Sequence, residues 1–210
     1  MQIDITRHIG AITRAIESRE HEGQPARVLV ATRTYDTDPE DLWDALTSAE
    51  RIPRWFLPIT GELRLGGRYQ LEGNAGGEIT RCDPPHHLAL TWEFGGGVSW
   101  VEVRLSAAAE GTLLELEHIA HVGGDLWDQF GPGAVGVGWD LTLMGLDLHL
   151  STGAANDPKL FAQWMASAEG REFVERSSEG WCLASIAAGT GEAAARAAAD
   201  RTTAFYTGGG

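Results

Sequence analysis

The chain has 210 residues, enough for one domain with appendages or at most two small domains, and its 43% hydrophobic and 22% charged content is that of an ordinary globular protein. Sixteen Lys and Arg stand against 30 Asp and Glu, a formal charge of −14, which repels phosphate backbones and anionic bilayers. Nucleic acid and membrane are therefore excluded as expected partners.

Cys82 and Cys182 lie far apart in unrelated contexts and make neither a disulfide framework nor a metal clip, so a reducing cytoplasm is the expected compartment. Charged residues interrupt the N-terminal segment (Asp4, Arg7, Arg14, Glu17), which argues against a signal peptide. No run of about 18 apolar residues reads as a membrane span.

In chain order, Ile5, Ile9, Ile12 and Ile16 fall at helical spacing behind Asp4. They predict an amphipathic helix over residues 4–20, the main part of an N-terminal arm, 1–25, that ends at Gly23-Gln24-Pro25. Arg27 to Tyr35 alternates and reads as a strand. Thr37-Asp38-Pro39-Glu40 is a helix start, and a second short helix begins at Ser48 and runs into Trp55-Phe56. Residues 59–120 repeat strand and turn. Gly66-Gly67, Asp83-Pro84-Pro85, Gly95 to Gly97 and Glu110-Gly111 punctuate five or six strands, which predicts an antiparallel meander. A Gly-rich break at 131–136 leads into a long helix with two apolar stripes, one containing Val137 and Met144, the other Trp139 and Leu143. Further helices are predicted at 158–168, 170–187 and 191–205, before a disordered tail at 208–210.

The period of two places Tyr69 with Leu71 on one strand face and Leu88, Leu90, Trp92 and Phe94 on another. The strand 112–121 aligns Leu114, Leu116 and His118 on one side and Glu115 with Glu117 on the other. The first set is expected to face an interior rich in aromatic rings, the core of the fold and also the wall of any pocket. His118 ends an apolar face, where an imidazole can be a general base or a hydrogen-bonding group for a ligand, or a core histidine bonded to a carbonyl. Glu78 shares strand parity with Thr80 and Cys82, so an inward carboxylate and an outward one are both open. His118 and His121 fall on opposite strand faces, too divided for a shared metal, and Glu115 and Glu117 are read as an outer pair offset by Arg104. Ser99 and Ser106 lack a nucleophile-elbow context. Gly131 to Gly138 lacks the lysine of a phosphate loop. No metal and no cofactor is expected.

The element order resembles the helix-grip fold of the START-like (SRPBCC, Bet v 1-like) superfamily, an α+β fold in which a curved antiparallel sheet wraps a long C-terminal helix. The segments Trp43 to Thr47, Arg54-Trp55-Phe56, Leu63 to Tyr69, Cys82 to Pro85, Leu90 to Phe94 and Gly138-Trp139 resemble, in order and spacing, the Hsp90-ATPase-activator-homologue (AHSA1-like) family, particularly its stand-alone bacterial and actinobacterial members. The resemblance covers about residues 26–150. It implies a grip domain over 26–152 and leaves 153–210 as a helical extension, whose helices are expected to dock on the domain and to offer a surface for a homodimer.

The resemblance implies a cavity between sheet and long helix holding a hydrophobic or aromatic small molecule. Trp55, Phe56, Tyr69, Leu71, Trp92, Phe94, Leu116, His118, Trp139 and Leu143 are its expected lining. START-like relatives also include cyclases, dehydratases and hydrolases, and on that reading His118 and Glu78 are the acid/base pair. An ATPase-activating co-chaperone role follows only from the family name.

Overall fold

The computed structural model describes residues 3–123 and 125–208. The elements run α1 (Ile5–Gly10), β1 (Thr13–His21), β2 (Gln24–Tyr35), α2 (Pro39–Thr47), α3 (Ile52–Trp55), β3 (Ile59–Gly61), β4 (Arg68–Leu71), β5 (Gly76–Asp83), β6 (His87–Phe94), β7 (Gly97–Ala108), β8 (Gly111–His121), α4 (Asp125–Phe130), α5 (Gly133–Thr152), α6 (Pro158–Met165), α7 (Ala168–Ala187) and α8 (Glu192–Thr207). One eight-stranded sheet has the order β1-β2-β8-β7-β6-β5-β4-β3, and the pairs from β3 to β8 are antiparallel neighbours in sequence. This is the helix-grip α+β architecture, with added helices at both ends. Among the described residues no helix is long and apolar enough to cross a membrane.

The N-terminal arm differs from the helix predicted over 4–20. A helix forms only at Ile5–Gly10, capped by Asp4, whose side chain accepts from the Arg7 N–H. Thr13–His21 is a strand. The turn decides it: Glu22 (φ 48°) and Gly23 (φ 76°) both take positive φ, the requirement of a two-residue hairpin whose twist matches the flanking strands. Isoleucines four apart suit a helix, but pairing across this turn overrides the spacing. Asp38 caps α2 as expected, accepting from the Asp41 N–H at 2.8 Å with Pro39 in the first turn. Gly208 caps α8 in the left-handed conformation, while Gly209 and Gly210 of the predicted tail lie outside the described residues.

The chain divides into two compact units. The first comprises residues 1–31, 121–141 and 157–210, and the second 32–120 and 142–156. In the first unit, Asp140 of α5 is fully buried and accepts from Arg14 Nε (2.9 Å), Ser177 Oγ (2.5 Å) and Trp181 Nε1 (3.2 Å) on a single oxygen, Oδ2, with Arg14 Nη2 in ion-pair contact at 2.8 Å. Arg14 also donates to the carbonyls of Ile9 and Ile12, so one side chain joins the N-terminal segment to α5. Burial raises the Asp140 carboxyl above its usual range, and Arg14, Ser177 and Trp181 pull it back in part.

In the second unit, Arg33 and Tyr35 of β2 reach Asp147 and Leu143 of α5. Arg33 Nη2 lies 2.9 Å from Asp147 Oδ1, and the Tyr35 hydroxyl donates to the Leu143 carbonyl at 3.0 Å. The segment after α5 is tied to α3 by Asn156 N–H to Arg54 O (2.7 Å) and Arg54 Nη2 to Gly153 O (2.6 Å). The core of this unit is Leu42, Ala45, Tyr69, Leu71, Ile79, Val101, Val103, Leu114, Leu116 and Leu143, all buried.

Candidate functional site: the inner face of the second unit

The inner face of the sheet is defined by register. Leu88 and Leu90 of β6 stand opposite Val103 and Val101 of β7, and these stand opposite Leu116 and His118 of β8. Leu116 is 3% exposed and Val101 3%, so His118, at 9%, closes a dry apolar row. Its Nε2 lies 2.9 Å from Ser99 Oγ, and its ring meets Trp92 edge-on at a centroid distance of 6.1 Å.

Ser99 Oγ also lies 3.2 Å from the Trp92 carbonyl. In the Nε2–H tautomer the imidazole donates to Ser99, and in the Nδ1–H tautomer Nε2 accepts the Ser99 proton. Burial pushes the His118 pKa down to about 4, so the ring is neutral at pH 7.

On β4, Tyr69 and Leu71 are buried, and the Tyr69 hydroxyl donates to the Thr91 carbonyl at 2.8 Å. Tyr69 stands opposite Gly77, where a Cβ would lie 2.0 Å from that same carbonyl. Glycine therefore lets β5 and β6 close up beneath the tyrosine ring. Burial raises the Tyr69 phenol well above its usual range, so it acts as a neutral donor.

Exposure along the inner row of β6 is graded. Leu88 is buried, Leu90 and Trp92 are half-buried, and Phe94 is 61% exposed. The apolar inner face thus reaches solvent at the β6–β7 end, beside the His118–Ser99 pair.

The chain matches the family described as "Activator of Hsp90 ATPase homolog 1-like protein" over residues 36–151. The crystal structure of CalU16 from Micromonospora echinospora is 36% identical, with a TM-score of 0.66, and the match covers 83% of this chain and 98% of that one. The chain belongs to this family. The solution structure of CalU16 is 33% identical, with a TM-score of 0.70 over 86% of this chain and 97% of that one. The mouse activator of 90 kDa heat shock protein ATPase homolog 1 is 31% identical over 80 residues, 37% of this chain, and the match spans only 23% of the mouse protein's length.

Within this family fold the expected lining separates into groups. Tyr69, Leu71, Leu116, His118 and Leu143 are buried in the second unit, and Trp92 is half-buried there. Trp55 and Phe56 stack at 5.6 Å and 18°, half-buried, with the Trp55 indole N–H held by the Ala45 carbonyl at 2.9 Å. Trp139 is buried but belongs to the first unit.

Two expectations are corrected. Phe94 has the inner parity but stands in the open, because the strand ends there at Gly95-Gly96, both at positive φ. Glu78 is exposed on the outer face. The reason is a bulge. Ile79 pairs with Leu90 and Arg81 with Ala89, so the register shifts at Thr80 and Glu78 no longer shares a face with Cys82. The proposed pairing of His118 with Glu78 is therefore lost.

On the outer face Arg104 does offset Glu115 (3.6 Å) and Glu117 (3.3 Å), and it also contacts Glu102, which in turn meets His87 Nε2 at 3.1 Å. Among the described residues no group of three or more His, Cys, Asp or Glu is placed to hold a metal.

Sequence reasoning missed Arg33, Tyr35, Asp147 and the role of Ser99. A carboxylate inside a helix that is apolar almost all round was the available signal for Asp147. For Ser99, it was the shared inner parity with Val101.

Proposed function

We propose that the inner face of the second unit binds a hydrophobic or aromatic small molecule, with Trp92 as its main contact and His118 as its polar one. The graded exposure from Leu88 through Leu90 and Trp92 carries this reading: an apolar row inside a fold is left within reach of solvent, next to the neutral pair of buried His118 and half-buried Ser99. The neutral imidazole favours an uncharged ligand carrying a hydroxyl or carbonyl over an ionic one. Binding without catalysis fits the site better, since Glu78 faces outward and leaves His118 without a carboxylate partner for acid/base work on the inner face. An ATPase-activating role rests only on a match spanning 23% of the mouse protein, and the site contributes nothing to it.

Titration with the neutral fluorophore N-phenyl-1-naphthylamine tests the proposal. Saturable binding is expected, about tenfold or more weaker in Trp92→Ala and unchanged in Phe205→Ala, an exposed position in the other unit. Equal affinity in wild type and Trp92→Ala, or no saturable binding, overturns it.

A further inference from the structure

The first unit contains a second concave site that the grip does not explain. Its cavity of about 230 Å³ has Arg27 and Trp127 on one wall, Ser185 and Thr190 on another, and Ala195 and Ala198 as an apolar floor. The Arg27 guanidinium lies 4.4 Å from the centroid of the Trp127 ring and forms no ion pair or hydrogen bond with a described residue. Stacking on the indole holds the planar fork in place while leaving its N–H edges for another partner.

The hydroxyls add direction. Ser185, 2% exposed, donates its proton to Thr190 Oγ1 at 2.9 Å, so the Thr190 proton is left for a different acceptor. Arg27 and Thr190 thus bring hydrogen-bond donors to the cavity, and the acceptor in its lining, the Asp128 carboxylate, makes no ion pair with Arg27. The space is large enough for one small ring with its substituent.

We infer that this cavity binds a small monocarboxylate, its carboxylate on the Arg27 fork and the Thr190 hydroxyl and its apolar body over the alanines. One guanidinium matches one negative charge. Asp128, exposed and also lining the cavity, opposes a dianion such as phosphate, as does the chain's −14.

Isothermal titration of the full chain with benzoate, benzamide and inorganic phosphate is the test. Benzoate should bind saturably and more tightly than benzamide or phosphate. Arg27→Gln should weaken it about 10- to 100-fold, the range of a charged hydrogen bond, and Thr190→Val about 3- to 10-fold. Arg27→Lys keeps the charge without the fork and should fall between wild type and Arg27→Gln. Arg81→Gln, an exposed arginine of the other unit paired with Asp83, should leave affinity unchanged. Three outcomes overturn the inference: no saturable benzoate binding, benzamide binding as well as benzoate, or equal losses in Arg27→Gln and Arg81→Gln. If Arg27→Gln unfolds, Thr190→Val and Arg27→Lys decide, and wild-type affinity in both overturns it.

Discussion

Two arginine–aspartate pairs grip the same long helix, one in each unit, and they are built differently. In the first unit Asp140 has no exposure and gathers three donors, Arg14 Nε, Ser177 Oγ and Trp181 Nε1, on one oxygen, while its other oxygen is buried without a hydrogen bond. In the second, Asp147 retains 11% exposure and meets Arg33, whose guanidinium also lies 5.1 Å from the Tyr35 ring centroid. A carboxylate sealed among donors is a lock: removing it leaves Arg14, Ser177 and Trp181 together without their acceptor. A carboxylate that water can still reach is more easily replaced. The unit with the closed network fixes the added segments to the helix. The other keeps an inner face that solvent, and on our proposal a ligand, can reach.

The largest effect should come from breaking the sealed pair. Asp140→Ala should destabilise the protein by about 3–5 kcal/mol in chemical denaturation. A loss under 1 kcal/mol would show that the network is not a lock.

Acid should act on the second unit next. The His118 pKa is about 4 when folded against 6.5 for the free side chain, so the unfolded state binds the extra proton between those values. The stability contributed by the neutral ring is complete above pH 6.5 and is lost as pH falls through 4, at most about 3 kcal/mol. His118→Gln should flatten the pH dependence of stability in that window, and an unchanged slope contradicts the buried neutral ring.

Asp147→Ala is expected to lose about 2–3 kcal/mol, less than Asp140→Ala because water reaches the site. The reverse ranking would undo the contrast between the two pairs. Gly136→Ala places a Cβ 2.4 Å from the fully buried Trp181 ring, so overpacking of about 1–3 kcal/mol should outweigh the gain of about 1 kcal/mol in helix propensity. Tyr69→Phe, which removes one hydrogen bond to the Thr91 carbonyl, should cost about 1 kcal/mol, the smallest change of the series.

Strands, caps and the long helix could be read from the sequence because each has a local cause: Asp38 before Pro39, alternation from His87 to Phe94, the apolar stripes of residues 137–150. The inward turn of His118 could be read for the same reason, since β8 keeps an unbroken period of two. Glu78 could not be placed, because one bulge at Thr80 reverses parity and no residue there marks it. The strand at Thr13–His21 was hidden by isoleucines that fit a helix equally well, and only its hairpin partner selects the extended form. Arg14 reads as a polar residue of the predicted N-terminal helix and Arg33 as an ordinary strand polar. Their aspartates lie more than 100 residues away, at a distance that no local pattern spans.

Heteronuclear NMR of the histidine rings during titration with N-phenyl-1-naphthylamine tests ligand binding at the inner face most directly. The expected result is that the His118 ring signals move in step with saturation of the fluorophore, while those of His121, which contacts the His21 carbonyl in the other unit, stay in place. Saturable binding that leaves the His118 signals unmoved would contradict it.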